Sequence, residues 1–141
     1  MSRIFWDTNL FLYLWEWHGE LHDRVVALRR RMIERADELC TSTMTLGEVL
    51  VKPLREKEAG LAERYEAALS SAAVLLIPFD REAARTYAEL RRDRTLRPPD
   101  AIQLACAARA RCNLFITNDE RLSRRVVAGV DFIVPLARAF L

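Results

Sequence analysis

Four acidic residues stand at positions where carboxylates do chemistry. Asp7 follows a short apolar run, Ile4-Phe5-Trp6. Glu48 sits in Thr45-Leu46-Gly47-Glu48, Asp100 follows Pro98-Pro99, and Asp119 closes Thr117-Asn118-Asp119. Taken singly, each has a structural explanation. Asp7 suits a helix cap. Thr45 to Glu48 and Thr117 to Glu120 fit the S/T-x-x-E capping box. Asp100 suits the first turn of a helix electrostatically. Taken together they make a different case. Two unit charges about 4 Å apart repel by about 4 kcal/mol at an effective dielectric of 20. Four carboxylates in one small volume must therefore bind protons or a cation. Oxygen donors suit Mg²⁺ or Mn²⁺ rather than zinc. Such a cation stabilises charge at a transferring phosphoryl group, so phosphodiester hydrolysis is the expected chemistry.

The elements that must position these acids follow from the hydrophobic pattern. Ile4 to Trp6 reads as a strand and Leu10 to Trp17 as a short helix. His22 to Asp37 places Val25, Leu28, Met32 and Ala36 on one helical face. Leu39 to Ser42 is a brief strand, and Thr43 to Lys57 and Leu61 to Ser70 are helices. Ala72 to Phe79 is a continuous apolar stretch, as in a parallel strand buried on both faces. Asp80 caps a helix carrying Ala83, Ala84, Tyr87 and Leu90 inward. An alanine-rich helix runs from Pro98 to about Cys112. Leu114 to Thr117 is a strand, a helix follows from Asp119, and Val130 to Val134 is the last strand. Strands alternating with helices argue for a parallel α/β sheet covered on both faces. In such sheets ligands bind beyond the carboxyl ends of the strands, where strand order reverses. Asp7 and Asp119 both stand at strand ends.

Composition bounds the class. The 141 residues, 51% hydrophobic and 30% charged, suit one globular domain spanning residues 1–141. No apolar run spans a membrane and no signal peptide is recognisable, so a soluble cytoplasmic protein with no membrane association is expected. The three cysteines, Cys40, Cys106 and Cys112, lack a Cys-x-x-Cys pair and are expected as buried free thiols. Net charge is +2, and of 22 basic residues only Lys52 and Lys57 are lysine. Arginine grips phosphate bidentately. Arg91, Arg92, Arg94 and Arg97 precede Asp100, and Arg121, Arg124 and Arg125 follow Asp119. They read either as phosphate contacts, with Arg97, Arg94 and Arg121 foremost, or as ordinary solvated faces paired with Glu89 and Glu120. His18 and His22 have zinc-ligand spacing on a helix, but Gly19 intervenes and no third ligand is apparent. Trp15 and Trp17 are core or part of a contact surface.

The four motifs in order resemble the PIN-domain ribonucleases, most closely the VapC-type toxins of bacterial toxin–antitoxin pairs. Phe5-Trp6-Asp7-Thr8-Asn9, Glu48 in its Thr45-to-Val49 setting, Pro99-Asp100-Ala101-Ile102-Gln103-Leu104-Ala105 and Leu114-Phe115-Ile116-Thr117-Asn118-Asp119 carry the resemblance across nearly the whole chain. It implies a three-layer α/β/α fold with a five-stranded parallel sheet of order 3-2-1-4-5. It implies an endoribonuclease using Mg²⁺ or Mn²⁺, with Asp7 and Asp100 as principal ligands. Glu48 and Asp119 would bind directly or through water. Thr8, Asn9, Thr117 and Asn118 would orient carboxylates or water. The resemblance also implies homodimerisation and an antitoxin that covers the acidic groove, with DNA reached only through that antitoxin. Leu122 departs from the aromatic residue of many relatives, a matter of packing. A catalytically silent PIN fold serving as a nucleic-acid or protein binding module is the rival, disfavoured because all four acids are present. A receiver domain would need a lysine after a late strand, and a haloacid-dehalogenase-type phosphatase a second aspartate in place of Asn9.

Overall fold

A computed structural model describes residues 1–17 and 19–141. Five parallel strands, β1 (Arg3–Trp6), β2 (Glu38–Ser42), β3 (Val74–Ile77), β4 (Leu114–Thr117) and β5 (Phe132–Pro135), form one sheet of order β3-β2-β1-β4-β5. Six helices cover it: α1 (Thr8–Trp15), α2 (Glu20–Glu34), α3 (Thr43–Arg55), α4 (Ala59–Leu69), α5 (Arg81–Leu90) and α6 (Pro98–Arg109). The strand–helix alternation predicts these two helical layers, and the family resemblance implies this sheet order.

Alternation along β1 builds the two cores. Ile4 and Trp6 face one side and pack with Leu10, Phe11, Val25 and Met32 of α1 and α2. Phe5 faces the other side, with α6 residues Leu104, Ala105 and Cys106. A strand's period of two sends neighbours to opposite faces, so three consecutive apolar residues serve both layers. Phe5 pairs with Phe115 across the β1–β4 ladder, and their rings stack 4.9 Å apart.

The chain leaves β1 toward β2 and β3 on one side, then returns to β4 and β5 on the other. The β1–β4 boundary is thus the switch point of the sheet. The ladder continues one residue past β1, because the Asp7 amide donates to the Ile116 carbonyl at 3.0 Å. That bond pins the Asp7 backbone beside the end of β4.

Three expectations need correcting. The apolar stretch from Ala72 to Phe79 yields only the four-residue β3, which is half-buried through Leu76. It is an edge strand, so its outer side lacks the neighbour that would bury it. Beyond Asp119 the chain makes only a 3₁₀ turn, Leu122–Arg124, instead of a helix. Between Asp119 and Gly129 only Leu122 and Val127 are buried, too few for an apolar helical stripe. Finally, α3 is capped by Ser42, whose hydroxyl accepts from the Met44 amide at 3.1 Å. Thr45 is therefore interior to the helix, and the capping-box explanation of Glu48 falls away.

Candidate active site

Asp7, Glu48, Asp100 and Asp119 all line one cleft of about 340 Å³ above the switch point. They reach it from four elements. Asp7 caps α1 and accepts from the Thr8 amide at 2.9 Å. Glu48 projects from the second turn of α3. Asp100 sits in the first turn of α6, which starts at consecutive prolines suited to that position. Asp119 stands two residues beyond the end of β4, after Asn118.

Each carboxylate has a distinct set of partners. Asp7 Oδ2 accepts from the Thr117 hydroxyl at 2.8 Å. Glu48 Oε1 accepts from the Thr8 hydroxyl at 2.6 Å. Asp119 Oδ1 accepts from the Arg121 amide at 2.9 Å, closing the turn that follows. Arg97 stands between the other two: its Nε lies 3.2 Å from Asp100 Oδ2 and its Nη2 4.0 Å from Asp119 Oδ2. The pKa of Asp7 is raised above the ordinary carboxylate value. Burial is the chief cause, and the charges of Asp100 and Glu48 add to it. Hydrogen bonds from Thr117 and the Thr8 amide act against the rise. Asp7 thus feels the charges of Asp100 and Glu48.

The predicted supporting residues divide. Thr8 and Thr117 are buried and hold carboxylates directly. Asn9 and Asn118 line the cleft, but the Asn118 amide donates to the Tyr13 hydroxyl at 3.0 Å rather than to an acid. Of the arginines, Arg97 lines the cleft, with its side chain largely exposed. The Arg121 guanidinium is exposed, 3.9 Å from Asp119. Arg94 is exposed outside the cleft lining. Arg125 pairs with Asp93, and Arg91 donates to the Leu96 carbonyl at 2.6 Å, so both fasten the loop before α6. Asp80 caps α5 as predicted, and it also accepts from Arg109 at 3.2 Å. His18 lies outside the described residues, and His22 is occupied by the Tyr13 carbonyl at 2.8 Å. Trp15 stacks on Tyr65, whereas Trp17 is exposed.

Sequence reasoning missed Gln103. It is buried three residues after Asp100, and its amide nitrogen donates to Thr45 at 2.7 Å and Thr8 at 3.1 Å. The available signal was a lone polar residue in the apolar run Ala101 to Ala107.

Among the described residues, no three or more His, Cys, Asp or Glu side chains are gathered tightly enough to hold a metal ion. The carboxylates ring the cleft without closing on a common point. Their chemistry nonetheless fits a hard divalent cation, since every acidic and neutral donor lining the cleft is oxygen or amide and no thiol or imidazole is among them.

The PIN domain family model matches residues 4–127. The chain belongs to the PIN domain family. Several solved structures share this PIN fold. VapBC2 from Rickettsia felis, bound to a promoter DNA fragment, matches with a TM-score of 0.74 at 16% identity, covering 94% of this chain and 98% of that one. DNA-bound VapBC from Salmonella typhimurium matches with a TM-score of 0.63 at 25% identity, covering 96% and 99%. VapC20 of Mycobacterium tuberculosis, a toxin that cleaves the sarcin–ricin loop, matches with a TM-score of 0.68 at 19% identity, covering 90% and 98%. At such low identity, the Rickettsia and Mycobacterium likenesses concern the fold. A search of curated protein sequences gave no match.

Proposed function

We propose that this PIN-domain chain is a Mg²⁺- or Mn²⁺-dependent endoribonuclease and the toxin of a toxin–antitoxin pair. The observation that carries the proposal is the convergence of Asp7, Glu48, Asp100 and Asp119 on one cleft at the switch point of the sheet. The capping explanation is removed for Glu48 and incomplete for Asp7, which accepts from Thr117 as well as capping α1.

In this reading Asp7 and Asp100 are the principal ligands, and Glu48 and Asp119 bind directly or through water. A bound divalent cation supplies charge stabilisation at the transferring phosphoryl group. Thr117 keeps Asp7 oriented, and Thr8 does the same for Glu48. Arg97, its side chain 69% exposed, can leave the acids and meet an RNA phosphate, with Arg121 and Arg94 beyond it. Near neutral charge overall, the chain needs this local basic rim to offset its acids.

The antitoxin and homodimer belong to the same proposal. The solved neighbours include a toxin–antitoxin complex from Klebsiella pneumoniae at 25% identity and a TM-score of 0.65. Beside the acidic cleft, and sharing Glu48 with it, lies an apolar cleft lined by Leu12, Trp15, Val49, Pro53, Leu61 and Tyr65. Its charged lining is mostly acidic, Glu16, Glu56 and Glu58 against Lys52, with Glu16 accepting from the Tyr65 hydroxyl. An antitoxin segment with apolar anchors and basic flanks suits both clefts at once. Exposed Val51 and Leu54 on α3 offer apolar area for self-association. The chain would then reach DNA only through the antitoxin.

The test is incubation of a labelled structured RNA with the purified chain in Mn²⁺ or in EDTA. Internal cleavage in Mn²⁺ alone is expected. Equal binding of RNA in both, with no cleavage, would favour the silent binding module.

A further inference from the structure

We infer that Gln103 is a positioning residue for Glu48: its carboxamide fixes the direction of the Thr8 hydroxyl, and Thr8 holds the Glu48 carboxylate at the cleft. The consequence for cation binding rests on the metal-dependent reading above.

Gln103 is 1% exposed and lies one turn beyond Asp100 on α6. Its Oε1 accepts from the Ser42 hydroxyl. Ser42 Oγ itself accepts from the Met44 amide, which leaves its one hydrogen for Gln103. With Oε1 fixed on Ser42, Nε2 must face the other way. There it donates to Thr45 Oγ1 at 2.7 Å and to Thr8 Oγ1 at 3.1 Å, with Asp7 Oδ1 a more distant third acceptor at 3.5 Å. An amide nitrogen donates only. Thr8 Oγ1 therefore receives from Gln103, and its own hydrogen is left for Glu48 Oε1, 2.6 Å away. A carboxylate only accepts, so the order is consistent from Ser42 to Glu48.

Without the amide the order is lost. Thr45 Oγ1 lies 3.2 Å from Thr8 Oγ1 and offers a competing acceptor. The Thr45 hydroxyl also lies 2.8 Å from that of Thr41, which donates to the Trp6 carbonyl at 2.9 Å. Gln103 thus ties α6 to α1, α3 and the end of β1 through one buried network. Such networks act as units, so their members couple strongly. Groups that orient ligands typically change metal affinity by about 10–100-fold when lost.

The experiment uses the full chain with Mn²⁺ alone as the probe, free Mn²⁺ being read by electron paramagnetic resonance. Gln103→Met, Thr8→Val and the double variant are compared with wild type, and their thermal unfolding is followed in EDTA. Gln103→Met and Thr8→Val should each weaken Mn²⁺ binding by about tenfold, and the double variant by no more than the worse single one. Thr8→Ser should recover most of the Thr8→Val loss. Wild-type Mn²⁺ affinity in folded Gln103→Met, or losses that multiply in the double variant, would overturn the inference. If Gln103→Met does not fold, Thr8→Val carries the test, and wild-type affinity there overturns it. Should wild type bind no Mn²⁺, the metal reading fails alone. The melting temperatures then decide: losses that do not add support the Gln103–Thr8 linkage, and additive losses refute it.

Discussion

The Thr117 hydroxyl joins Asp7 and Asp119 across the sheet's switch point. It donates to Asp7 Oδ2 at 2.8 Å and accepts from the Asp119 amide at 3.1 Å. One buried side chain at the end of β4 therefore orients a carboxylate at the end of β1 and shapes the turn that carries another. Thr117→Val keeps the shape and removes both bonds. Its expected cost is about 1–3 kcal/mol of stability, the range for leaving a buried donor or acceptor unsatisfied. Denaturant unfolding measures it, and an unchanged midpoint would show that the bond is dispensable.

Asp7 makes the apo protein's stability depend on pH in an unusual direction. Its folded pKa lies above the unfolded value near 3.8, chiefly through burial. The sign follows from linkage: its favourable contribution is full below the unfolded pKa and is lost as pH rises through the folded one. At pH 7, above the unfolded pKa, this rise opposes folding. In EDTA, Asp7→Asn should melt above wild type at pH 7, with the difference shrinking as pH falls toward the unfolded pKa and gone below about 4. A lower melting temperature for Asp7→Asn at pH 7 would assign Asp7 to capping before charge.

Much of this site was legible in the sequence because parallel strands buried on both faces leave continuous apolar runs. Ile4 to Trp6 and Leu114 to Thr117 mark two such strands, and the one or two residues after each are forced to the same sheet edge. Asp7 and Asp119 follow from that alone. Glu48 and Asp100 stand on helices, and their approach depends on how α3 and α6 are tilted, which no local pattern encodes. Gln103 escaped notice because a lone polar residue in an apolar helix gives no hint of its partners. The missing helix after Asp119 and the half-buried β3 are tertiary outcomes: one segment lacks an apolar stripe, the other lacks a neighbouring strand.

Arg97 occupies the position of a counter-cation between Asp100 and Asp119. Arg97→Gln should bind Mn²⁺ severalfold more tightly than wild type, with the gain largest at low ionic strength. The same substitution should weaken RNA binding and reduce its salt slope by about one. Calorimetric titration with Mn²⁺ checks the first part, and unchanged affinity would remove Arg97 from the cation's site.

The three thiols are buried and free, as their spacing suggested. Burial lifts the Cys106 pKa to about 11, and Cys112 is raised as well, chiefly by its hydrogen bond to Cys40 and then by burial. Thiolate, not thiol, is the reactive form. A thiol reagent at pH 8 should label none of the three in the native chain and all of them after unfolding. Rapid labelling of a native thiol would place it in an opening the structure does not have.

The central claim is that the four acids form the catalytic centre of a metal-dependent ribonuclease. The most direct measurement compares wild type with Asp100→Asn on a labelled structured RNA, each in Mn²⁺ and in EDTA, after both have been shown to be folded. The account predicts internal cleavage by wild type in Mn²⁺ and none in the other three reactions. Equal cleavage by folded Asp100→Asn in Mn²⁺, or cleavage by wild type undiminished in EDTA, would contradict it.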